Sequence, residues 1–588
     1  MRNSYGPTLP ISEEIHAMKY RAPNESFEEA MTRVAYALKD DGEHYFNFRN
    51  ILLEQRFLPA GRVQSSMGSP RQVTPYNCFV SEGIEDSMNG IMRAAKDAAQ
   101  TMRLGGGIGY DFSTLRPKGA LIKSLDSRSS GPISFMGIFD SICKTISSAG
   151  HRRGAQMGVL RVDHPDIEEF IKAKNNSTEL TQFNISVGVT DKFMQAVKDD
   201  TDFNLIFKGR VYKTVKAKVL WDDILRSTWD WAEPGILFID RINRKNNLWY
   251  CEKIAATNPC GEQPLPPNGA CLLGSFNLTK YIQVDKSGFK FFNMGAFQHD
   301  IPVVVRAMDN VVDRATYPLD EQKKEAENKR RMGLGLTGVA NALEVLGYPY
   351  GKPRFLKELA AIMKVLRDTA YRTSISLALE KGAFPLFNKN YLTSEFALKL
   401  PVDIRTDIAK YGIRNSHLLS IAPTGTISLS ADNISSGIEP VFSHYYDRTI
   451  QTFDGPRTER VEDYGYREFG VKGKTADELS VFDHVEVLNL ASEYVDSACS
   501  KTCNVGDDIT WEQFQDVYMK AYDGGASGCT TFRASGKRYG VLNAAASEDI
   551  AEEPERQLDL FVNEDVRPII TEDGACYFDP STGIRSCE

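Results

Sequence analysis

The stretch Thr257-Asn258-Pro259-Cys260-Gly261-Glu262-Gln263-Pro264-Leu265-Pro266-Pro267-Asn268-Gly269-Ala270-Cys271 sets an amide, a thiol and a carboxylate at alternate positions. Five of these fifteen residues before Gly269 are proline or glycine, which break helices, so the spacing predicts an extended loop. Alternate side chains of an extended chain share a face, and Asn258, Cys260 and Glu262 would then point the same way. The amide can orient a hydroxyl, the carboxylate can accept its proton, and the thiol can serve as nucleophile or hydrogen-atom carrier. A proline-rich surface loop with an incidental cysteine would show the same spacing.

Other motifs sort by what their backbones permit. Pro423-Thr424-Gly425-Thr426 follows Leu418-Leu419-Ser420-Ile421 and offers hydroxyls and backbone N–H groups suited to phosphate. The glycine run Leu104-Gly105-Gly106-Gly107-Ile108-Gly109 contains no G-x-G-x-x-G, so a dinucleotide fold is excluded and close backbone approach is expected instead. Gly470-Val471-Lys472-Gly473-Lys474-Thr475 imitates a P-loop, yet Glu468 stands where its first glycine belongs; an exposed turn is predicted. Cys499 and Cys503 fall four apart on a predicted helix, but no nearby histidine or second cysteine pair completes a metal site, so no metal is expected.

These residues need a scaffold, and the chain is long enough to supply one. Its 588 residues are 42% hydrophobic and 25% charged, an ordinary globular composition. Residues Ser12 to about Arg56 read as helix. From Phe57 to about Lys280 short β-rich runs such as Phe183–Val187 and Asn204–Phe207 alternate with helical stretches such as Asp166–Ile171, which predicts α/β architecture. Pro302 to Glu380 reads as mostly helical, and Leu418 to Phe442 as a strand, a glycine turn and polar loops. The formal charge of −8 is concentrated at the end: 543–588 holds twelve acidic and three basic residues, leaving +1 on the rest. A near-neutral body gives no footprint for nucleic acid. No apolar run reaches membrane-spanning length and no signal-peptide core follows Met1, so a cytoplasmic protein is expected, with its ten cysteines as thiols. The acidic end is predicted to be a mobile arm ending in Cys576 and Cys587.

Asn258-x-Cys260-x-Glu262, with Cys271 eleven residues after Cys260, resembles the finger-loop signature of the ribonucleotide reductase catalytic subunit. Pro75-Tyr76-Asn77-Cys78-Phe79-Val80 resembles the early strand that carries a partner thiol. Ala422-Pro423-Thr424-Gly425-Thr426-Ile427-Ser428 and Ser436-Gly437-Ile438-Glu439-Pro440 resemble the family's substrate-phosphate turn and the loop after it. The resemblance implies a ten-stranded α/β barrel spanning 57–542, threaded by a finger loop, after an N-terminal helical segment 1–56 and before a flexible redox tail 543–588. It implies that a Cys260 thiyl radical takes the ribose 3′-hydrogen, that Glu262 takes the 3′-OH proton, and that Asn258 holds the sugar. Cys78 and Cys271 would supply the reducing electrons and become a disulfide, which Cys576 and Cys587 would reduce by thiol–disulfide exchange. An arm of about 33 flexible residues reaches roughly 30 Å, enough to enter a barrel. Cys576 and Cys587 have ten residues between them, wider than is common in the family. A radical must be shielded, so Cys260 is expected to be buried.

Ala60, Asn77, Gly107, Pro423, Thr424, Gly425, Thr426 and Ile427 are the substrate-binding positions that the resemblance implies. Ser148 to Met157 resembles the loop relaying effector identity, with Arg153 as relay and Asp86 as an effector-site residue; both are also readable as surface charges. The family's separate N-terminal ATP-binding module is not expected. Ser527-Gly528-Cys529-Thr530-Thr531-Phe532-Arg533 lacks the Tyr-Tyr pair of the oxygen-dependent kind, and with Ser500–Val505 and Gly540–Leu542 is similar to the adenosylcobalamin-dependent class. No Asp-x-His-x-x-Gly occurs, so no protein histidine is expected to replace the cobalamin's own base. The implied partners are a ribonucleotide substrate, a deoxynucleotide effector and a thioredoxin- or glutaredoxin-type reductant, with a homodimer as one candidate assembly. The alternatives are an oxygen-dependent catalytic subunit needing a separate radical-generating subunit, and a non-radical thiol–disulfide or nucleotide-binding protein.

Overall fold

The computed structural model describes residues 5–537, apart from 124, 149–151, 154, 176–177, 453–454, 507 and 534, together with the strands Cys576–Asp579 and Ile584–Cys587. The N-terminal region is three helices, Pro10–Tyr20, Phe27–Leu38 and Gly42–Leu53. The second starts at a capping box, in which Ser26 and Glu29 satisfy each other's backbone N–H groups. Phe27, Ala30, Met31, Val34, Ala35 and Leu38 line its buried face at helical spacing.

Two sheets carry the body. The larger has eight strands in the order Ala270–Cys271, Cys78–Val80, Gly107–Asp111, Gln156–Arg161, Phe183–Val189, Gly235–Phe238, Gly528–Arg533, Thr502–Val505. Cys78–Val80 through Gly235–Phe238 pair in parallel, as helix-connected strands do. Phe183–Val189 and Gly235–Phe238 are buried at every residue, which is why they read as apolar runs. In the smaller sheet, Leu273–Asn277 lies between Phe57–Pro59 (antiparallel) and Gly333–Thr337 (parallel). The sheets are continuous in chain at one side, since Leu273 follows Cys271 by two residues. At the other side single parallel bridges join Leu334 to Leu419 and Ile421 to Cys499, just before Thr502–Val505.

The mixed α/β expectation holds, with local departures. Gly333–Thr337 is a buried strand inside the region read as helical. Its glycines carry no strand signal, yet a Cβ on Gly335 would lie 2.3 Å from the Ser420 carbonyl oxygen, so only glycine lets the neighbouring chain approach. Leu418 to Ile421 makes isolated bridges rather than a full strand, and the glycine turn opens a short helix, Gly425–Leu429. Cys499 and Cys503 are not helical: the first makes the bridge to Ile421 and the second lies in Thr502–Val505. Among the described residues no helix is long and apolar enough to cross a membrane, and no cluster of metal-ligating side chains occurs.

Candidate active site

The loop around Cys260 is a hairpin, which corrects the extended reading. Ala256–Thr257 pairs antiparallel with Pro264–Leu265, and residues 258–263 form the tip. Asn258 closes it from both sides: its N–H donates to the Gln263 carbonyl (3.0 Å) and its Oδ1 accepts from the Gln263 N–H (2.9 Å). Gly261 turns the tip at a φ of 84° and donates its N–H to the Asn258 carbonyl (3.1 Å). A turn, not a pleat, therefore brings the three functional side chains into one short segment. The tip is buried as radical chemistry requires, with Cys260 at 2% exposure and Asn258, Glu262 and Gln263 at zero.

Both sheets hold this hairpin. A Cβ on Gly109 would lie 1.8 Å from the Thr257 carbonyl oxygen, and one on Gly107 would lie 3.2 Å from the Pro259 ring, so the glycine run of the neighbouring strand is shaped to the hairpin. Asn184 Nδ2 donates to the Pro259 carbonyl (3.0 Å). On the far side the Ser420 hydroxyl and the Ala498 N–H both reach the Glu262 carbonyl, at 2.9 and 3.0 Å. Gly107 also donates its N–H to the carbonyl of Asn77 (2.8 Å), and Ala60, at the start of helix Gly61–Ser66, donates its N–H to Leu273 (3.1 Å). Ala60, Asn77 and Gly107 are thus tied to the two sheets that flank the tip.

Cys78 and Cys271 are directly opposed residues of an antiparallel pair, both fully buried and neither in a disulfide. Asn258 Nδ2 donates to Cys78 Sγ at 3.1 Å, linking the hairpin tip to this pair. Burial pushes the Cys271 thiol well up, Cys78 and Glu262 push it further, and Arg331 pulls the other way. Cys260 is disulfide-bonded.

The turn at Pro423 lies on the opposite flank. Thr424 has a φ of 54° and starts the helix, so the amides of Gly425, Thr426 and Ile427 precede the first helical bond, from Ser428 N–H to the Thr424 carbonyl (2.9 Å). The Thr424 hydroxyl lies 2.9 Å from that of Thr337 and accepts from the Gly437 N–H at 2.7 Å. The Ile427 side chain packs with Tyr20, Leu58, Ala431 and Ile434, which leaves its backbone as the part available to a ligand. The following loop is fixed by a buried ion pair: Lys501 Nζ reaches Glu439 Oε2 (2.6 Å) and His484 Nδ1 (3.0 Å), and Glu439 Oε1 accepts from the Thr502 N–H (2.8 Å). Burial, then Lys501, holds His484 well below the usual imidazole range, so its Nδ1 accepts from the ammonium.

The remaining predicted residues lie apart. Asp86 accepts from Arg116 N–H and Nε (3.1 and 2.9 Å) and from Lys208 Nζ (3.0 Å). Burial opposes its ionisation, but Arg116 and Lys208 outweigh that and hold its carboxyl below the usual range. Arg153 sits in the short hairpin Arg152–Arg153 with Ser147–Ser148; its side chain lies outside the described residues. Cys576 and Cys587 are cross-strand partners in the terminal hairpin, so the ten-residue separation is closed by the fold, and the strand Ile584–Cys587 lies against the Gly425–Leu429 helix. Residues 538–575 of the predicted arm lie outside the described residues.

Sequence reasoning missed Thr337, Ser420, Lys501 and a buried cluster beside Cys271. There Arg331 Nη2 binds both Glu252 oxygens (2.7 and 2.5 Å), and Lys329 Nζ reaches Glu252 and Glu325 (both 2.8 Å). Two adjacent arginines in Lys329-Arg330-Arg331-Met332-Gly333 immediately before a glycine-rich run were the available signal.

With this geometry in hand, the comparisons with known proteins become informative. A family model described as the barrel domain of ribonucleotide reductase matches residues 76–468 and 468–532. A vitamin B12-dependent ribonucleoside-diphosphate reductase of Thermoplasma acidophilum is 32% identical over 94% of this chain and 74% of its own length. One of Mycobacterium tuberculosis (strain CDC 1551) is 34% identical over 86% of this chain and 74% of its own length. A vitamin B12-dependent ribonucleotide reductase of Streptomyces avermitilis is 26% identical over 88% and 62%. A model match over most of the chain, on the strands and hairpin that gather Cys78, Cys260 and Cys271, places this protein in the ribonucleotide reductase family.

Proposed function

We propose that the chain reduces ribonucleotides to 2′-deoxyribonucleotides by a thiyl-radical route that depends on adenosylcobalamin, as the names of its relatives suggest. The observation that carries this reading is the buried contact of Asn258 with Cys78, whose directly opposed neighbour is Cys271, at the tip that holds Cys260 and Glu262. A sugar-directed amide, a carboxylate, a hydrogen-atom carrier and a reducing dithiol meet in one water-poor place. The two sheets, joined in chain at 270–277 and through the bridges at 334/419 and 421/499, support closure into the ten-stranded barrel with this hairpin as its finger loop. Residues 57–542 would form that body.

The strand pair Thr502–Val505 and Gly528–Arg533 tests the cofactor. Ser527–Arg533, which includes the second of these strands, holds no Tyr-Tyr pair to relay a radical from another subunit. Thr502, the cross-strand partner of Thr530, has a buried hydroxyl without a hydrogen-bond partner among the described residues, suited to an amide arm of a corrin. These segments fit the cofactor and would hold it. The chemistry that bound adenosylcobalamin would supply there is Co–C homolysis, the source of the oxidising equivalent that makes Cys260 a thiyl radical. Cys260 then takes the 3′-hydrogen, Glu262 accepts the 3′-OH proton, and Asn258 fixes the sugar. Cys78 and Cys271 give two electrons and two protons, one proton to the 2′-oxygen that leaves as water and one to C2′, and become a disulfide; Glu262 returns the 3′-OH proton and Cys260 returns its hydrogen to C3′. The amides of Gly425 to Ile427 would bind the phosphate, with Pro423 and Thr424 shaping the turn.

The Cys78–Cys271 pair must be reduced again after each turnover. A thioredoxin- or glutaredoxin-type reductant would renew the pair through Cys576 and Cys587, whose hairpin beside the Gly425–Leu429 helix supports that route. A deoxynucleotide effector acting through Arg153 and Asp86, a homodimer and a cytoplasmic setting complete the reading. The experiment is deoxyribonucleotide synthesis by the purified chain with dithiol and adenosylcobalamin, set beside Cys260→Ala. Product from wild type alone is expected; product from the mutant would refute the radical role.

A further inference from the structure

Cys271 has a buried cation next to it in the sheet. Leu273 pairs in parallel register with Gly333, and the Gly333 N–H donates to the Leu272 carbonyl (2.7 Å). Two residues earlier on each chain stand Cys271 and Arg331, at zero and 2% exposure. They sense one another electrostatically: burial lowers Arg331 while Glu252, Glu325 and, least of the three, Cys271 raise it, and Arg331 lowers Cys271 against the rise from burial, Cys78 and Glu262. The guanidinium is rigidly held, with Nη2 on Glu252 and Nη1 3.3 Å from His417 Nδ1. Burial, then Arg331, keeps His417 well below the usual imidazole range, and Arg331 with Lys329 brings Glu252 down to about 2 although burial works the other way. Arg331 Nε is buried and has no hydrogen-bond partner among the described residues. A buried N–H without an acceptor is costly and is retained where a group appears only transiently to take it.

We propose that Arg331 is the cation that receives the Cys271 thiolate during re-reduction of the Cys78–Cys271 disulfide, and so fixes the direction of the exchange. This rests on the proposed redox role of the pair. An incoming thiolate, from the C-terminal cysteines or an external dithiol, attacks Cys78 Sγ. The S–S bond breaks, its electron pair goes to Cys271, and the new bond joins the incoming sulfur to Cys78. The second thiol of the reductant then displaces Cys78 and leaves as the disulfide; the proton it releases goes to the Cys271 thiolate, and Cys78 takes the proton that the first thiol lost on ionising. The surroundings of Cys271 otherwise oppose a negative sulfur: Cys78, Glu262 and Asp496 all push its thiol up. Arg331 offsets them at the sulfur that leaves.

Because disulfide and dithiol are both neutral, the cation acts on the rate and not on the equilibrium. The test uses the full chain, oxidised and then reduced anaerobically with dithiothreitol at pH 7.5, with each cysteine followed by differential alkylation and peptide mass spectrometry. Reduction of the Cys78–Cys271 disulfide is expected to slow about tenfold in Arg331→Met, because leaving-group acidity sets exchange rates, while the redox midpoint stays in place. Arg331→Lys is expected to stay close to wild type. Arg331→Met combined with Glu252→Gln, which removes the charge pair together, guards against a folding defect and should be as slow as the single variant. With glutathione as a monothiol probe, the mixed disulfide is expected on Cys78. Wild-type rates in the double variant, a midpoint shift matching the rate loss, or glutathione on Cys271 would overturn the proposal. Failure of wild type to form a Cys78–Cys271 disulfide at all would overturn the redox pairing beneath it.

Discussion

The two flanks of the Cys260 hairpin are built by different means. On the cysteine flank the proposed working atoms are side chains, and backbone pairing positions them: Cys78 opposes Cys271 because two strands are in register. On the Pro423 flank the proposed working atoms are backbone amides, and side chains position them. Thr337, Thr424, Asn341 and the Glu439–Lys501 pair tie the turn to loops far away in sequence. A register tolerates few changes to the presented residue itself, whereas a turn held by side chains fails through its supports.

Replacing Cys271 by alanine leaves the strands paired and should be the sharpest break. Multiple-turnover deoxynucleotide formation is expected to fall by at least about a thousandfold, since a group acting only in the reaction cannot be replaced by binding. Circular dichroism and melting temperature should stay near wild type. A large loss of stability would show that the cysteine flank also depends on side-chain support.

On the other flank, Lys501→Met should act through structure. Removing one member of a buried pair leaves Glu439 uncompensated and is expected to cost about 3–5 kcal/mol in denaturant unfolding, with a raised KM. Pairing it with Glu439→Gln should restore most of the stability. An unchanged KM in a folded single variant would detach the pair from the turn.

The smallest effect concerns pH. Burial, with Asp463 adding to it, pushes Glu344 on the Val339–Val345 helix up to about 7. A carboxyl raised in the folded state contributes stability below its unfolded value near 4.5, and that contribution is lost as pH rises through about 7. Glu344→Gln should therefore flatten stability between pH 5 and 8, and at pH 8 exceed wild type by on the order of 3 kcal/mol. Parallel pH profiles for the two proteins would contradict this assignment.

The same contrast explains what the sequence could show. Asn258, Cys260, Glu262 and Cys271 stood out as candidates because their chemistry is in their side chains and their spacing is local, whereas Cys78 was found only through the resemblance of Pro75–Val80 to a family segment. The hairpin was not: alternation suggested an extended chain, and only the Asn258–Gln263 bonds turn it back. Arg331 and Lys501 stayed hidden because their partners lie 79 and 62 residues away. Strand Gly333–Thr337 gave no β signal because its glycines exist to admit Gln263 and Ser420, a demand visible only in three dimensions.

The most direct test of the central claim is release of tritium from a 3′-tritiated ribonucleotide by the reduced full chain with adenosylcobalamin. Release with wild type and none with Cys260→Ser is the predicted result. Equal release from the mutant, or deoxynucleotide formed by the mutant, would contradict hydrogen transfer through Cys260.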